Sequence, residues 1–237
     1  MPKLAYVGSE LELFAHAKRW KAYWRGQVSS FLHGDVLEVG AGLGSNTSIL
    51  CEADDARWVC LEPDAGMAQR LHAAIAGGVL PSRCEARVGT IEDLEPDERF
   101  DTVIYADVLE HIEDDRAEVA RAAERLVRGG ALIVLSPAHQ SLFSPFDAAI
   151  GHHRRYDRRL LASLTPPGLH ITCLRYLDSV GMLTSLANRL LLSQTLPTSG
   201  QLAFWDRWLV PISERLDPLL GYRVGRSVLA VWLRNGW

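Results

Sequence analysis

The chain has 237 residues, 48% of them hydrophobic, four cysteines and a formal net charge of −4. That length supports one substantial core and leaves two independent domains cramped, while the mild acidity gives no overall attraction to nucleic acid. Cys51, Cys60, Cys84 and Cys173 are scattered without CxxC spacing or paired histidines, so they read as reduced thiols, not as a zinc site or a disulfide frame.

The first residues, MPKLAYVGSELE, contain no apolar signal core, and no run of about 18 uncharged apolar residues occurs, so a cytoplasmic chain without stable membrane insertion is expected. Residues 9–32 carry Leu11, Phe14, Ala17, Trp20, Tyr23 and Trp24 on helical spacing among Lys18, Arg19, Lys21 and Arg25, which predicts an amphipathic helix. Strands are then predicted at 35–39, 57–62, 84–88, 101–107 and 131–136, with helices near 45–53, 64–76 and 114–127. Strands alternating with helices mean a parallel sheet covered on both faces. Gly129-Gly130 is read as the cap of the helix before the fifth strand.

Beyond Pro137 the pattern is less regular. Residues 138–153 read as a long loop, 154–164 as a basic helix, 169–177 as a strand and 179–193 as a mostly apolar helix. A Pro- and Trp-containing excursion runs to about residue 221, and a last strand occupies 226–234. The expected organisation is one domain: a helical cap at 1–32, a cofactor-binding half at 33–137, and a substrate-side half at 138–237 with an insertion at about 179–221.

The most informative segment is VLEVGAGLGSNTSIL at 36–50. An apolar strand turns into a helix through Gly40, Gly42 and Gly44, whose missing side chains free the backbone and let a ligand approach it. A pyrophosphate wants amide groups and a helix N-terminus without a carboxylate beside them. Here Glu38 precedes a GxGxG spacing, which suits a ligand bearing an ammonium or sulfonium group. Glu62 closes the second strand about twenty residues on, where an acid accepts hydrogen bonds from a ribose diol. Asp64 reads as the cap of the next helix. Asp107-Val108 ends the fourth strand, on the side where ligands of parallel sheets bind.

These segments resemble the motifs of class I S-adenosylmethionine (SAM) dependent methyltransferases. FAHAKRWKAY, GTIEDL, YADVLEHIEDD, LSPAHQSLFSPFDAAIGHHRRYDRR, YLDSVGM, FWDRWLVPISERLD and VGRSVLAVW extend the resemblance, to a group of bacterial small-molecule methyltransferases, over nearly the whole chain. The resemblance implies a Rossmann-like seven-stranded α/β sheet whose last strand is antiparallel, with SAM as cofactor. It places Glu38, Gly40, Ala41, Gly42, Gly44, Thr47, Glu62, Pro63, Asp107 and Val108 at the cofactor. Thr90, Ile91 and Glu92 correspond to the loop that holds the adenine ring; the family often has an acid at the position of Thr90, which leaves adenine recognition to Glu92 or the Ile91 backbone.

The sulfonium already carries an activated methyl group, so the protein must chiefly align an acceptor and take up its proton. For a hydroxyl acceptor a histidine is the natural base at neutral pH. His152 is the first candidate, His139 the second, and Tyr156 and Arg155 orient the acceptor. The other reading of GHHRRY is a solvated basic helix start, with arginines paired to Asp147 or Asp157. Arg154, Arg155, Arg158 and Arg159 are the one local basic patch. His111 is either an acceptor contact or a histidine packed on the sheet end. Trp20, Trp24, Met182, Leu183, Phe204 and Trp208 exceed what the sheet can bury and predict an apolar acceptor pocket. No metal site is expected, because no cluster of carboxylates and amides stands out. The alternatives are a non-catalytic SAM-binding or membrane-surface module, suggested by Trp205, Trp208, Trp232 and Trp237 but interrupted by Arg189 and Ser193-Gln194-Thr195, and a nicotinamide-dependent oxidoreductase, against which the loop spacing and Glu38 argue.

Overall fold

The computed structural model describes residues 10–51, 56–187 and 198–236; Arg189, Ser193-Gln194-Thr195 and Trp237 lie outside them. A seven-stranded sheet runs through the chain in the order β3-β2-β1-β4-β5-β7-β6. Its strands are β1 (Val36–Val39), β2 (Trp58–Glu62), β3 (Cys84–Val88), β4 (Phe100–Ala106), β5 (Leu126–Pro137), β6 (Leu169–Leu177) and β7 (Ser227–Arg234). The first five pair in parallel, and β7 is antiparallel to both β5 and β6. The continuous burial of β1 and β2 follows from helices covering both faces. Two apolar clusters form, one on each side of the sheet; Ile104, Ile133 and Val231 belong to one, and Val103, Leu132 and Trp232 to the other.

Predicted strand ends fall within a residue of those observed, except that β5 begins at Leu126 and not at 131. Gly129-Gly130 is therefore not a helix cap. The helix there, α5 (Asp115–Glu124), has already ended, and the glycines sit where the β4–β5 register jumps from Phe100↔Leu126 to Thr102↔Ala131. A Cβ on Gly130 would stand 2.9 Å from the Asp101 carbonyl oxygen, so the strand passes there only without a side chain.

The N-terminal helix is two helices, α1 (Glu10–Ala15) and α2 (Lys18–Val28). Asp206, far along the chain, accepts from the Arg19 and Trp20 amides and so begins a new helix. Of the predicted helix at 45–53 the described residues, up to Cys51, form α3 (Thr47–Leu50), whereas α4 (Ala65–Ala76) starts as predicted, with Asp64 accepting from the Met67 amide. The predicted loop at 138–153 contains α6 (Pro145–Ala149), closed by a Ser144/Asp147 capping box and a first-turn proline. The basic helix is shorter than expected: α7 (Arg158–Ser163) starts after Asp157, because Tyr156 bridges in extended conformation to Ala138.

Where it is described, the late excursion is helical. It comprises α8 (Ser179–Ala187), α9 (Ser199–Phe204) and α10 (Val210–Leu219), with a π turn at Trp205–Leu209 joining the last two. Among the described residues no helix is long and apolar enough to cross a membrane.

Candidate active site

The strand order reverses between β1 and β4, and ligands of such sheets bind at that switch point beyond the strands' carboxyl ends. A cavity of about 210 Å³ lies there, bounded by Gly40, Ala41 and Gly42 on one side and by the loop segment after β5 on the other. The backbone is unusual at this edge. Asp107, His139 and Asp178 all have positive φ (56°, 65° and 64°), and each lies just past the carboxyl end of β4, β5 or β6. Non-glycine residues rarely adopt this conformation, and strain of this kind gathers at functional sites.

The glycine loop shows why its residues are glycines. Gly40 has φ 67°, and a Cβ there would stand 2.6 Å from Val108 Cγ2. Gly42 donates its amide to Glu62 Oε2 (2.8 Å), and Glu62 Oε1 accepts from the Asp64 amide (2.9 Å). Burial raises the Glu62 pKa, partly offset by those two amides. Each oxygen keeps a further lone pair, which is what a ribose diol requires.

Glu38 behaves differently from the expectation. It is buried at 2% exposure and absent from the cavity wall; its Oε2 accepts from Thr47 Oγ1 (2.7 Å) and Trp58 Nε1 (2.9 Å). Burial pushes its carboxyl up to about 7. Both Glu38 and Thr47 thus pin α3 to the sheet instead of facing a ligand. In the predicted adenine loop, the Thr90 hydroxyl donates to Asp93, Glu92 pairs with Arg121 at 2.7 Å, and the Ile91 side chain is in the core.

The polar floor of the cavity comes from two segments. Asp107, Glu110 and His111 come directly after β4, and Asp147, His152 and Arg155 belong to the stretch between β5 and α7. The amide of His153 donates to the Glu110 carbonyl (2.8 Å), which locks the segments together. Asp147, 1% exposed, accepts from His152 Nδ1 (3.0 Å) and holds the Arg155 guanidinium in a bidentate pair (2.9 and 3.0 Å). Burial works to raise the Asp147 carboxyl, but the hydrogen bonds from His152 and Arg155 outweigh it and hold it well below the usual range. The His111 and His152 rings meet edge to face, 4.5 Å between centroids. Burial, helped by His152, takes His111 down to about 4. Asp107 faces the cavity, and desolvation raises its carboxyl against the pull of His152, Arg226 and Lys21. Glu110 is raised well above the carboxylate range by burial and by the charge on Asp107.

Lys21, Arg226, Trp20 and Trp205 close the opposite wall. Lys21 is 5% exposed, donates to the Phe14 carbonyl (2.5 Å), and burial takes it down to about 8 against Asp107 and Asp206. Trp20 and Trp205 stand 5.9 Å apart, and the Trp205 indole donates to Asp178 Oδ2 (2.8 Å).

Several predicted residues are elsewhere. Tyr156 is fully buried, its hydroxyl 2.8 Å from Asp115 Oδ2 and 3.2 Å from the Leu109 carbonyl oxygen, so it cannot orient an acceptor. His139 places Nε2 3.0 Å from the Gly225 carbonyl oxygen and stacks on Tyr176, outside the cavity. Trp24 is core, and Trp208 is 56% exposed. The π turn explains Trp208: the Val210 amide bonds to the Trp205 carbonyl, and the extra residue rotates the later side chains around the helix axis, leaving Trp205 inward and Trp208 outward. Phe204 and Leu183 are exposed as well, and Met182 is absent from the wall. The basic patch is largely committed: Arg154 pairs with Asp115 (2.6 Å), Arg155 with Asp147, and Arg158 lies over the Tyr176 ring.

Sequence reasoning missed Lys21, Glu110, Asp147, Trp205 and Arg226 as cavity residues. Glu110 stands in the run just after β4 and Asp147 in the SPFD capping box, so both carried a local signal; Lys21, Trp205 and Arg226 reach the site through contacts distant in sequence.

Residues 37–135 match the family described as methyltransferase domain. Over 104 residues the chain is 36% identical to the ubiquinone biosynthesis O-methyltransferase of Bradyrhizobium sp. (strain ORS 278) and 33% identical to that of Rhodopseudomonas palustris (strain BisB18); each match covers 42% of this chain. The chain spans only 38% of the length of these curated relatives. Among solved structures, coclaurine N-methyltransferase bound to N-methylheliamine and SAH superimposes with a TM-score of 0.63 at 11% identity, covering 99% of this chain and 77% of that one. The [4+2]-cyclase SpnF gives 0.62 at 15% identity, covering 90% and 80%. Likeness at such identity shows the fold alone. The chain thus has the fold of class I methyltransferases, and its residues 37–135 match the methyltransferase domain family.

Proposed function

We propose that this chain transfers a methyl group from SAM to a hydroxyl of a small, largely apolar or aromatic molecule. The observation that carries the reading is one cavity with a glycine loop on one side and a buried imidazole–carboxylate–guanidinium group on the other. The loop fits SAM: its positive-φ glycines leave the backbone bare, Glu62 keeps lone pairs for the ribose, and Gly40, Ala41 and Asp107 line the space for the methionine end. When bound, SAM supplies a methyl group on a positively charged sulfur, so transfer needs an aligned nucleophile more than an acid.

Residues 33–137 hold the cofactor in this reading, and the cap helices with residues 138–236 hold the acceptor. Leu11, Phe14, Trp20, Phe146, Ile150 and Trp205 supply apolar walls. That wall, and relatives named for O-methyl transfer in ubiquinone biosynthesis, support a hydroxyl on an apolar body. Asp147 holds His152 by Nδ1, which leaves Nε2 toward Glu110 and the cavity to activate that hydroxyl.

The test uses methyl-labelled SAM with a panel of hydroxylated aromatic acceptors and cell extracts. Label should pass to a hydroxyl oxygen, and His152→Ala should cut turnover by about 10² to 10⁴ with SAM affinity unchanged. Folded protein that binds SAM yet labels no acceptor overturns the reading.

A further inference from the structure

We propose that Glu110, His111 and His152 form a divalent transition-metal site on the cavity floor, and that its cation binds the acceptor's hydroxyl oxygen. Each residue offers one ligand atom, and the three atoms lie within 4.8 Å of one another. Ligands about 2.1 Å from one ion stand roughly 3 to 3.4 Å apart, so small side-chain rotations complete the set.

Glu110 is the independent observation. Its side chain is 0% exposed, it lines the cavity, and neither carboxylate oxygen has a hydrogen-bond partner among the described residues. The Ser136 hydroxyl is likewise buried without a hydrogen-bond partner among the described residues. A native fold rarely leaves a carboxyl group buried with both oxygens unpaired, and a cation at this position is a direct explanation.

His152 is prepared in the same sense. Asp147 Oδ1 faces its Nδ1 at 3.0 Å and already accepts from Arg155, so the imidazole proton sits on Nδ1. Nε2 then carries a lone pair, 3.9 Å from Glu110 Oε1. A carboxylate behind a histidine is the arrangement that orients metal-bound imidazoles. His111 adds a second ring, held edge to face against His152. Two imidazoles and one carboxylate suit manganese, iron, cobalt or zinc and leave coordination positions open to the cavity.

The inference rests on the methyltransferase reading and deepens it. His152 becomes a ligand and not the proton acceptor. A hydroxyl bound to the cation is more acidic; its O–H bond breaks, the electron pair stays on oxygen, and the proton leaves to solvent. The oxygen pair is then the nucleophile for the methyl group, with no oxidant or reductant required.

The experiment strips the full chain with a chelator and titrates it with Mn²⁺ by calorimetry and with Co²⁺ by visible absorption. One equivalent of each should bind. Glu110→Gln and His111→Ala should each weaken binding at least about tenfold, and Asp147→Asn by about 10- to 100-fold. Circular dichroism checks that the variants fold, and His111→Gln replaces any that does not. Absence of saturable Mn²⁺ and Co²⁺ binding, or binding indifferent to Glu110→Gln and His111→Ala, overturns the site. Stripped protein that binds SAM and methylates acceptors at full rate also overturns it, while leaving the methyltransferase reading intact. Metal bound through Glu110 in a protein that takes no SAM upholds the cation site and breaks that reading instead.

Discussion

The two walls of the cavity are held in different ways. On the glycine-loop side, backbone conformation and close approach suffice: Gly40, Gly42 and Gly44 have φ of 67°, 56° and 73°, and Glu62 ties the loop to β2 twenty residues away. On the cap side, three aspartates bind segments far apart in the chain. Asp206 starts α2; Asp217 accepts from the Tyr23 hydroxyl and from the amides of Asp178 and Ser179; Asp178 accepts from Trp205, Ser213 and Gly181. Tyr23 and Asp217 are separated by 194 residues. A cofactor edge can thus be encoded in one short motif, whereas an acceptor wall assembled from α2, α8 and the π turn needs buried polar anchors at each junction.

Three variants sharpen that contrast. Asp178→Ala should have the largest effect, because it strips a fully buried carboxylate from the Trp205 indole, the Ser213 hydroxyl and the Gly181 amide at once. Removing one side of such a buried network costs about 3–5 kcal/mol. Denaturant unfolding should show that loss, and acceptor KM should rise more than SAM Kd. A loss below about 1 kcal/mol would mean the cap is held by its apolar contacts alone.

Glu38→Gln tests the glycine-loop side through pH. The folded carboxyl titrates near 7, above its ordinary 4.5, so the protonated form is the one the fold prefers. Stability from this group is full below pH 4.5 and is lost as pH rises through 7. The change amounts to roughly 3 kcal/mol over that window. Glutamine keeps an acceptor for Thr47 and Trp58 without the titration, so urea midpoints measured from pH 4.5 to 8 should lose this slope. An unchanged slope in the variant would assign it to other groups.

The smallest effect is expected at Glu62. Glu62→Ala removes the acid from the proposed ribose position, where each charge-assisted hydrogen bond is worth about 1.5–3 kcal/mol. Calorimetric titration should show SAM bound at least about tenfold more weakly. Unchanged affinity in a folded variant would confine Glu62 to holding the Gly42 and Asp64 amides.

Much of the fold was legible from residue patterns. The apolar run at 57–62 is a strand covered on both faces of a parallel sheet, 84–88 alternates buried and exposed residues as an edge strand does, and Asp64 announces a helix because its side chain satisfies an amide three residues on. Gly129-Gly130 misled because paired glycines suit a helix end and a crowded strand register equally. Ser144 and Asp147 form a capping box that marks a short helix inside the expected loop. The site was less legible. GHHRRY drew attention to His152 and Arg155, which line the cavity, yet Tyr156 in the same segment points into the core toward Asp115. One extended residue separates a side chain on the cavity from one beneath it.

By itself the sequence determined the alternation of strands and helices, the glycine loop that opens the sheet edge to a ligand, and the acid at the end of β2, since each depends on backbone conformation or on partners a few residues away. Tertiary structure decided that Glu38 is a buried clamp, that Trp205 and not Trp208 faces the cavity, and that Glu110, His111 and His152 converge. Those outcomes turn on burial, on a π turn whose Trp205 indole bonds to Asp178, and on a single amide from His153 to Glu110, none of which a local pattern records.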